Sequence, residues 1–224
     1  MIECFGQDFA AFGPIDDAPE ETLDAFKSEL GPKLARRMSP MALLLSGLLH
    51  RLPRRPAEAV YFGTTYSDTS SLEKYLDTLP AASPLFFQNS IHPGPLIQAF
   101  TAVGEPVPAL FPFAGKKTLV FDTLLAALLA REEERLCVFS EARATWMTAE
   151  HIAAGETFAF AIRLAASPEN ALFRLVFNRG KTGGVPGKGR QPEDAFALME
   201  SLRRQEPVRL EHPTHGSIEI EWIH

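Results

Sequence analysis

A layered α/β domain is predicted for this chain of 224 residues. Three observations predict it: short apolar runs that read as buried strands, segments with apolar residues at helical spacing between them, and a composition able to build a core. The chain is 46% hydrophobic and 22% charged, and a chain of this size buries roughly 70% of its unfolded surface. Its two cysteines, Cys4 and Cys137, offer no disulfide framework. A cytosolic chain folded as one domain over residues 1–224 is therefore expected. The opening Met1-Ile-Glu-Cys lacks the basic start and apolar run of a secretory leader. Leu119 to Ala130, interrupted by Asp122, falls short of the roughly 20 residues of a membrane span and reads as a buried helix.

The elements follow in order. Leu23, Phe26 and Leu30 recur at helical spacing between Asp16-Asp17 and a Gly31-Pro32 stop. Ser39 is a natural N-cap with Pro40 at the first helical position, and Met41, Leu44, Leu45 and Leu48 form the apolar stripe of a mostly buried helix ending before Pro53. Ala59 to Gly63 reads as a buried strand. Ser70 and Glu73 then suggest a capping box opening a helix with Leu72, Tyr75, Leu76 and Leu79 on one side, closed by Pro80. Residues 83–98 combine an aromatic run, a polar turn and a helix start at Pro93 or Pro95. A Pro-rich loop at 104–112 leads to the helix at 119–131 and a second core strand at Leu136 to Phe139. Two alternating runs, Phe158 to Leu164 and Ala171 to Phe177, flank the turn Ser167-Pro-Glu-Asn170 and are expected to pair as a hairpin. A helix at 193–204 and a strand through Ile218, Ile220 and Trp222 finish the chain.

Several function classes drop out. Twenty-eight acids against 22 bases give a net charge of −6, without the positive field of a duplex nucleic-acid binder. Gly180-Lys181-Thr182 is not a phosphate loop, because Leu175 stands where the first glycine belongs. His212-Pro-Thr-His215 lacks a Cys or carboxylate cluster at a metal-ligand spacing. No Gly-x-Ser-x-Gly elbow occurs, and Cys137 inside an apolar strand reads as a structural thiol. Arg174, Arg179, Lys181, Lys188 and Arg190 lie in a stretch free of acids. It is either a solvated connection or a docking patch for an acidic partner such as an acyl carrier protein. Asn89-Ser90-Ile91-His92 reads either as a turn or interface segment or as a source of catalytic groups.

Four segments in order carry a family resemblance: Arg36-Arg-Met-Ser39, Tyr61-Phe-Gly-Thr64, Ser83-Pro-Leu-Phe-Phe-Gln-Asn-Ser-Ile-His92, and Val120 to Ala142. Together they resemble the amino-terminal half of a β-ketoacyl synthase, in particular the short ketosynthase-like proteins associated with aryl-polyene and related fatty-acid or polyketide synthesis. The resemblance implies half of the thiolase-like fold: a mixed central sheet with helices packed on its faces and a carboxy-terminal hairpin. In true ketosynthases a cysteine is acylated at the start of the long helix, where the helix dipole and backbone N–H groups stabilise a thiolate. That position falls near Lys116 here, and no cysteine lies between Cys4 and Cys137. The second-half histidines and lysine of the family are also absent, so no independent condensing activity is expected.

The resemblance thus implies an accessory role like that of chain-length factors, which pair with active ketosynthases, although those are full-length and this chain is not. The expected partners are an acyl chain, an acyl carrier protein or a ketosynthase subunit, in a homo- or heterodimer. No cofactor and no metal are expected. Phe86, Phe87, Asn89, Ser90 and His92 are assigned to the acyl or partner face, and Lys116, Lys117 and Thr118 to a vestigial nucleophile pocket. The competing expectation is a small acyl-thioester hydrolase or acyltransferase run by groups around Ser90, His92 or Thr118, which requires a hydroxyl within reach of a base. A third possibility is a structural remnant without a ligand; an apolar cavity opening near Thr118 would argue against it.

Overall fold

A computed structural model describes residues 1–13, 19–55, 58–106, 109–150, 152, 157–180, 192 and 194–223. The elements run β1 (Ile2–Phe12), α1 (Pro19–Leu30), α2 (Pro32–Ala35), α3 (Pro40–Arg51), β2 (Ala59–Thr64), α4 (Thr69–Asp77), α5 (Pro84–Ser90), α6 (Gly94–Val103) and β3 (Leu110–Ala114). They continue with α7 (Leu119–Leu129), β4 (Glu134–Glu141), α8 (Thr145–Ala149), β5 (Phe158–Ala165), β6 (Phe173–Asn178), α9 (Ala195–Arg203), β7 (Val208–His212) and β8 (Gly216–Trp222). The strands form one eight-stranded sheet in the order β3-β2-β4-β5-β1-β6-β8-β7. The first three are parallel and every other pairing is antiparallel. No helix among the described residues is long and apolar enough to cross a membrane.

Side chains of alternate parity divide the interior into two layers. On one face Val60, Phe62, Leu136, Val138, Ala159 and Ala161 meet α3 and α6. On the other, Tyr61, Cys137, Phe139, Phe158, Phe160 and Ile162 meet α7 and α9. The small Ala159 and Ala161 leave room for α3, whose Leu45 and Leu48 are fully buried. Its start is as the sequence expects: Ser39 Oγ accepts the Ala42 N–H at 3.1 Å and Pro40 opens the first turn. On the opposite face Gly63 is required by close approach, because a Cβ there would lie 2.8 Å from Thr123 Oγ1 of α7 and 2.7 Å from the Phe139 ring.

Four sequence expectations are corrected. The runs at 158–164 and 171–177 are strands, yet they do not pair with each other, because β1 lies between β5 and β6 and bonds to both. The chain crosses over β1 at Gly6, whose carbonyl accepts the Leu172 N–H at 2.7 Å. The carboxy-terminal hairpin is β7–β8 instead. β1 and β7 themselves went unrecognised in the sequence. The Ser70–Glu73 capping box does not form: Asp68 caps α4, its Oδ1 accepting the Ser71 N–H at 2.9 Å and the Ser70 hydroxyl at 2.8 Å. Glu73 turns away to accept the Thr145 N–H. The end of the expected loop at 104–112 is edge strand β3, where Pro112 is tolerated. The polar turn expected within 83–98 is largely helix α5. Asp16 and Asp17 lie outside the described residues.

One buried ion pair ties the sheet to the segment before β2. Arg163 of β5 donates from Nε to Glu58 Oε1 at 2.8 Å and from Nη2 to the Pro53 carbonyl at 2.7 Å, and also pairs with Asp8 of β1. The Arg163 side chain is 5% exposed and that of Glu58 is fully buried. Replacing Arg163 by Met strands the Glu58 charge and is expected to cost about 3–5 kcal/mol in urea unfolding. Arg174→Met, which breaks only exposed pairs with Glu3 and Glu221, should cost less than about 1 kcal/mol.

Candidate functional site

The carboxyl ends of the parallel strands β2, β3 and β4 converge on the start of α7, the place where open α/β sheets present ligands and catalytic groups. The turn into α7 is Gly115-Lys-Lys-Thr118. Its backbone is fixed by the Gly115 N–H on the Thr64 carbonyl and the Leu119 N–H on the Lys116 carbonyl at 3.1 Å. Lys116 and Lys117 are exposed and Thr118 is half-buried, its side chain giving no cap. The position expected for an acylated cysteine thus carries an ammonium group.

Neither cysteine of the chain can replace it. Cys4 and Cys137 are 1% and 0% exposed, and burial pushes both thiols above the ordinary range. The Cys4 thiol donates to the Ala165 carbonyl at 2.9 Å and receives Arg135 Nη2 at 3.3 Å. Arg135 also donates to the Ala127 carbonyl at 3.0 Å, which satisfies the carboxyl end of α7.

Beyond the start of α7 the strand ends hold a charged pair that sequence reasoning missed. The Glu141 side chain is 1% exposed; its Oε1 accepts the Thr65 N–H at 3.0 Å and its Oε2 accepts Arg143 Nε at 2.8 Å. Burial raises the Glu141 carboxyl above the usual range against the lowering pull of Arg143. The Arg143 guanidinium lies 5.7 Å from the Tyr66 ring centroid and 5.9 Å from that of Phe158, while Lys116 Nζ lies 5.8 Å from the same Tyr66 ring. The one sequence signal for this pair was its place directly after the apolar run of β4. A cleft of about 740 Å³ lined by Gln7, Asp8, Arg55, Glu134 and Glu169 opens at the opposite, amino end of β2 and β4.

The second expected constellation separates into buried and exposed members. Phe87 is 48% exposed and touches Tyr75, with ring centroids 5.4 Å apart, while Phe86 is half-buried. Asn89 is internal: Nδ2 donates to the Arg37 carbonyl at 3.5 Å and Oδ1 accepts Gln98 Nε2 at 2.6 Å. Ser90 Oγ donates to the Phe87 carbonyl of its own helix at 2.8 Å. The His92 ring packs on Phe62, 4.8 Å between centroids, and neither ring nitrogen has a hydrogen-bond partner. Ser90 and His92 therefore do not form a nucleophile–base pair. Around Phe87, the side chains of Leu76, Leu79 and Ile91 from α4, α5 and their connections are also exposed.

The remaining motifs settle simply. His212 and His215 stack 4.3 Å apart in the β7–β8 turn, with His212 Nδ1 accepting the Thr214 and His215 N–H groups. Among the described residues no group of three side chains is placed to hold a metal. Arg174 is matched by Glu3 and Glu221, so it adds no free charge to the cationic stretch. Lys181, Thr182, Lys188 and Arg190 lie outside the described residues.

A mixed sheet with α7 on one face, α3 and α6 on the other, and a helix start at the parallel strand ends defines a thiolase-like, ketosynthase-type fold. The solved structures agree. The chain superposes with a TM-score of 0.67 on a chain of the ketosynthase (ApeO) in complex with its chain length factor (ApeC) from Xenorhabdus doucetiae, at 17% identity over 99% of this chain and 100% of that one. It matches the ishigamide ketosynthase/chain length factor at a TM-score of 0.55 and 14% identity, covering 92% of this chain and 72% of that one. A β-ketoacyl synthase from Burkholderia phymatum STM815 gives a TM-score of 0.56 at 8% identity, over 82% and 66% of the two chains. No protein-family model and no curated protein sequence matches the chain.

Burial lowers the His92 imidazole from 6.5 to about 4, so the folded ring is neutral where an unfolded one takes a proton. Between these values the unfolded state binds more protons, so stability falls as pH drops from 6.5 toward 4. Above that window His92 adds no pH dependence. The gap between urea midpoints at pH 7.5 and pH 5 is expected to narrow in His92→Phe; an unchanged gap would mean the folded ring titrates freely.

Proposed function

We propose that this chain is a catalytically incompetent, ketosynthase-like accessory subunit that pairs with an active ketosynthase in fatty-acid, aryl-polyene or polyketide synthesis. The reading treats residues 1–224 as one domain working in the cytoplasm and handling an acyl chain or its carrier protein at the shared interface. The observation that carries it is that the α7 turn reads Lys116-Lys117-Thr118, where the resemblance expects an acylated cysteine, while both thiols are sealed inside the sheet. No thiol stands at that turn to carry an acyl group, so in this reading condensation falls to a partner.

The surface supports a partner. The two edges of the sheet differ in chemistry: β7 presents Glu211 and Arg209, which pairs with Glu211 at 3.0 Å and with Glu219 of β8, whereas β3 reads Leu-Phe-Pro-Phe-Ala without a charge. Charged edges resist strand addition and bare apolar edges invite it. Phe111 of β3 is 41% exposed, stacked on Tyr61 at 4.9 Å between centroids. The exposed Phe87 and Ile91 add apolar surface outside the sheet, and within the expected acyl or partner face Phe86 is half-buried and His92 packs on Phe62.

Two outcomes test the reading. Co-purification with a ketosynthase subunit is expected for the wild-type chain and is expected to be lost in Phe87→Asp and Phe111→Lys; retention by both variants would place the interface elsewhere. In intact-mass spectrometry with an acyl-loaded carrier protein, the thioester is expected to stay whole and this chain unmodified. Release of the acyl group, or a covalent adduct, would favour the thioester hydrolase or acyltransferase reading and overturn this one.

A further inference from the structure

Three polar atoms that the fold buries without a partner belong to adjoining residues at the carboxyl ends of β2 and β4: Ser67 Oγ, Asp68 Oδ2 and Arg143 Nη1. The two strand ends meet there, since Asp68 bridges to Ala142 and the Ser67 carbonyl accepts the Ala142 N–H at 3.0 Å. Arg143 turns Nε and Nη2 toward Glu141, each 2.8 Å from Oε2, so Nη1 is the end of the planar fork left over. The Arg143 side chain is 3% exposed. Water would satisfy all three atoms, and the closed arrangement denies it to them at a cost.

The chain leaves Arg143 directly into a short strap that runs through α8 to Ile152 and is pinned at both ends. At its start the Ala144 N–H donates to Thr69 Oγ1 at 3.1 Å, and the Glu73 carboxylate accepts both the N–H and the hydroxyl of Thr145. At its far end the Ile152 carbonyl accepts the Tyr66 hydroxyl at 3.3 Å, and the ring of the same Tyr66 lies 5.7 Å from the Arg143 guanidinium. Tyr66 therefore ties the end of the strap to the buried cation. Met147 of α8 is buried, whereas Trp146 and Ile152 stand 43% and 47% exposed. A segment held by one buried side chain and a few surface hydrogen bonds, next to unpaired buried polar atoms, opens at a free energy well below that of global unfolding.

We propose that the α8 strap is a gate, latched by Glu73 and Tyr66, that lifts as a unit and bares Arg143 and Ser67 at the strand ends where an open α/β sheet presents ligands. Lys116 of the α7 turn stands at the same opening, its Nζ 5.8 Å from the Tyr66 ring. The two states balance different terms. Closure buries Met147 and makes the latch hydrogen bonds; opening hydrates the Ser67 hydroxyl, the Asp68 oxygen and the free end of the Arg143 guanidinium. The gate follows from this chain's own contacts and stands apart from the accessory-subunit reading.

The test reads opening from the labelling of Arg143 by phenylglyoxal, an arginine-specific dicarbonyl, mapped by peptide mass spectrometry on the full chain under native conditions. Arg135 and Arg163, each 4% exposed, are buried elsewhere in the sheet and report global unfolding, while the exposed Arg36 reports the reagent. Wild-type Arg143 is expected to label more slowly than Arg36 and faster than Arg135 and Arg163. Glu73→Ala and Tyr66→Phe each remove one latch and are expected to speed Arg143 labelling about fivefold, with Arg135 and Arg163 unchanged. Ser67→Ala replaces an unpaired buried hydroxyl by hydrogen and is expected to slow it. Arg143 labelling that stays the same in both latch variants, or that rises in step with Arg135 and Arg163, overturns the gate. Wild-type labelling at the rate of Arg36 also overturns it, because the strap would then not be closed in solution.

Discussion

The double pairing of β1 holds the molecule together. Its second half bonds to β5 and its first half to β6, so one strand joins β3-β2-β4-β5 to β6-β8-β7. The junction constrains the chain severely. The path from β5 to β6 must cross β1, and it does so at Gly6, where a Cβ would stand 2.1 Å from a ring carbon of Phe173. The register of β1 shifts between Gly6 and Asp8 at that point. The shift turns Asp8 toward Arg163, so the buried charge network and the strand crossing are two consequences of one local distortion.

The same distortion explains why β1 was illegible. Before the shift Ile2 and Cys4 face the α7 layer, and after it Phe9 and Ala11 do, so even positions hand over to odd ones and a period of two never persists. An undistorted strand such as β5 gave itself away because Phe158, Phe160 and Ile162 keep one parity throughout. Its partner was not legible, since alternation records which face is buried and carries no information about the neighbouring strand. The false hairpin arose there. Local chemistry was read well where one donor met one acceptor, as at Ser39, and badly where two candidates competed, as when Asp68 displaced Ser70 at the cap of α4.

The candidate site shows the same division. That no thiol could stand at the start of α7 followed from residue order alone, and the buried state of Cys137 followed from its apolar neighbours. The pairing of Glu141 with Arg143 did not, because two charges at a strand end are ordinarily solvated, whereas here Tyr66 and Phe158 lie beside the guanidinium and the Thr65 N–H meets the carboxylate. Likewise Phe86, Phe87, Asn89, Ser90 and His92 formed one group in the sequence, and helix geometry parted them. Asn89 is spent tying α5 to Arg37 and Gln98, whereas Phe87 is free to meet something else.

The unequal edges of the sheet also determine how an assembly would grow. Strand addition at β3 would leave each sheet ending outward in β7, a strand that carries the charges of Arg209 and Glu211. Assembly along the sheet would then end at two members instead of propagating as a filament. With charge at only one of its two margins, such a sheet could keep an uncharged, aromatic edge without becoming a nucleus for aggregation.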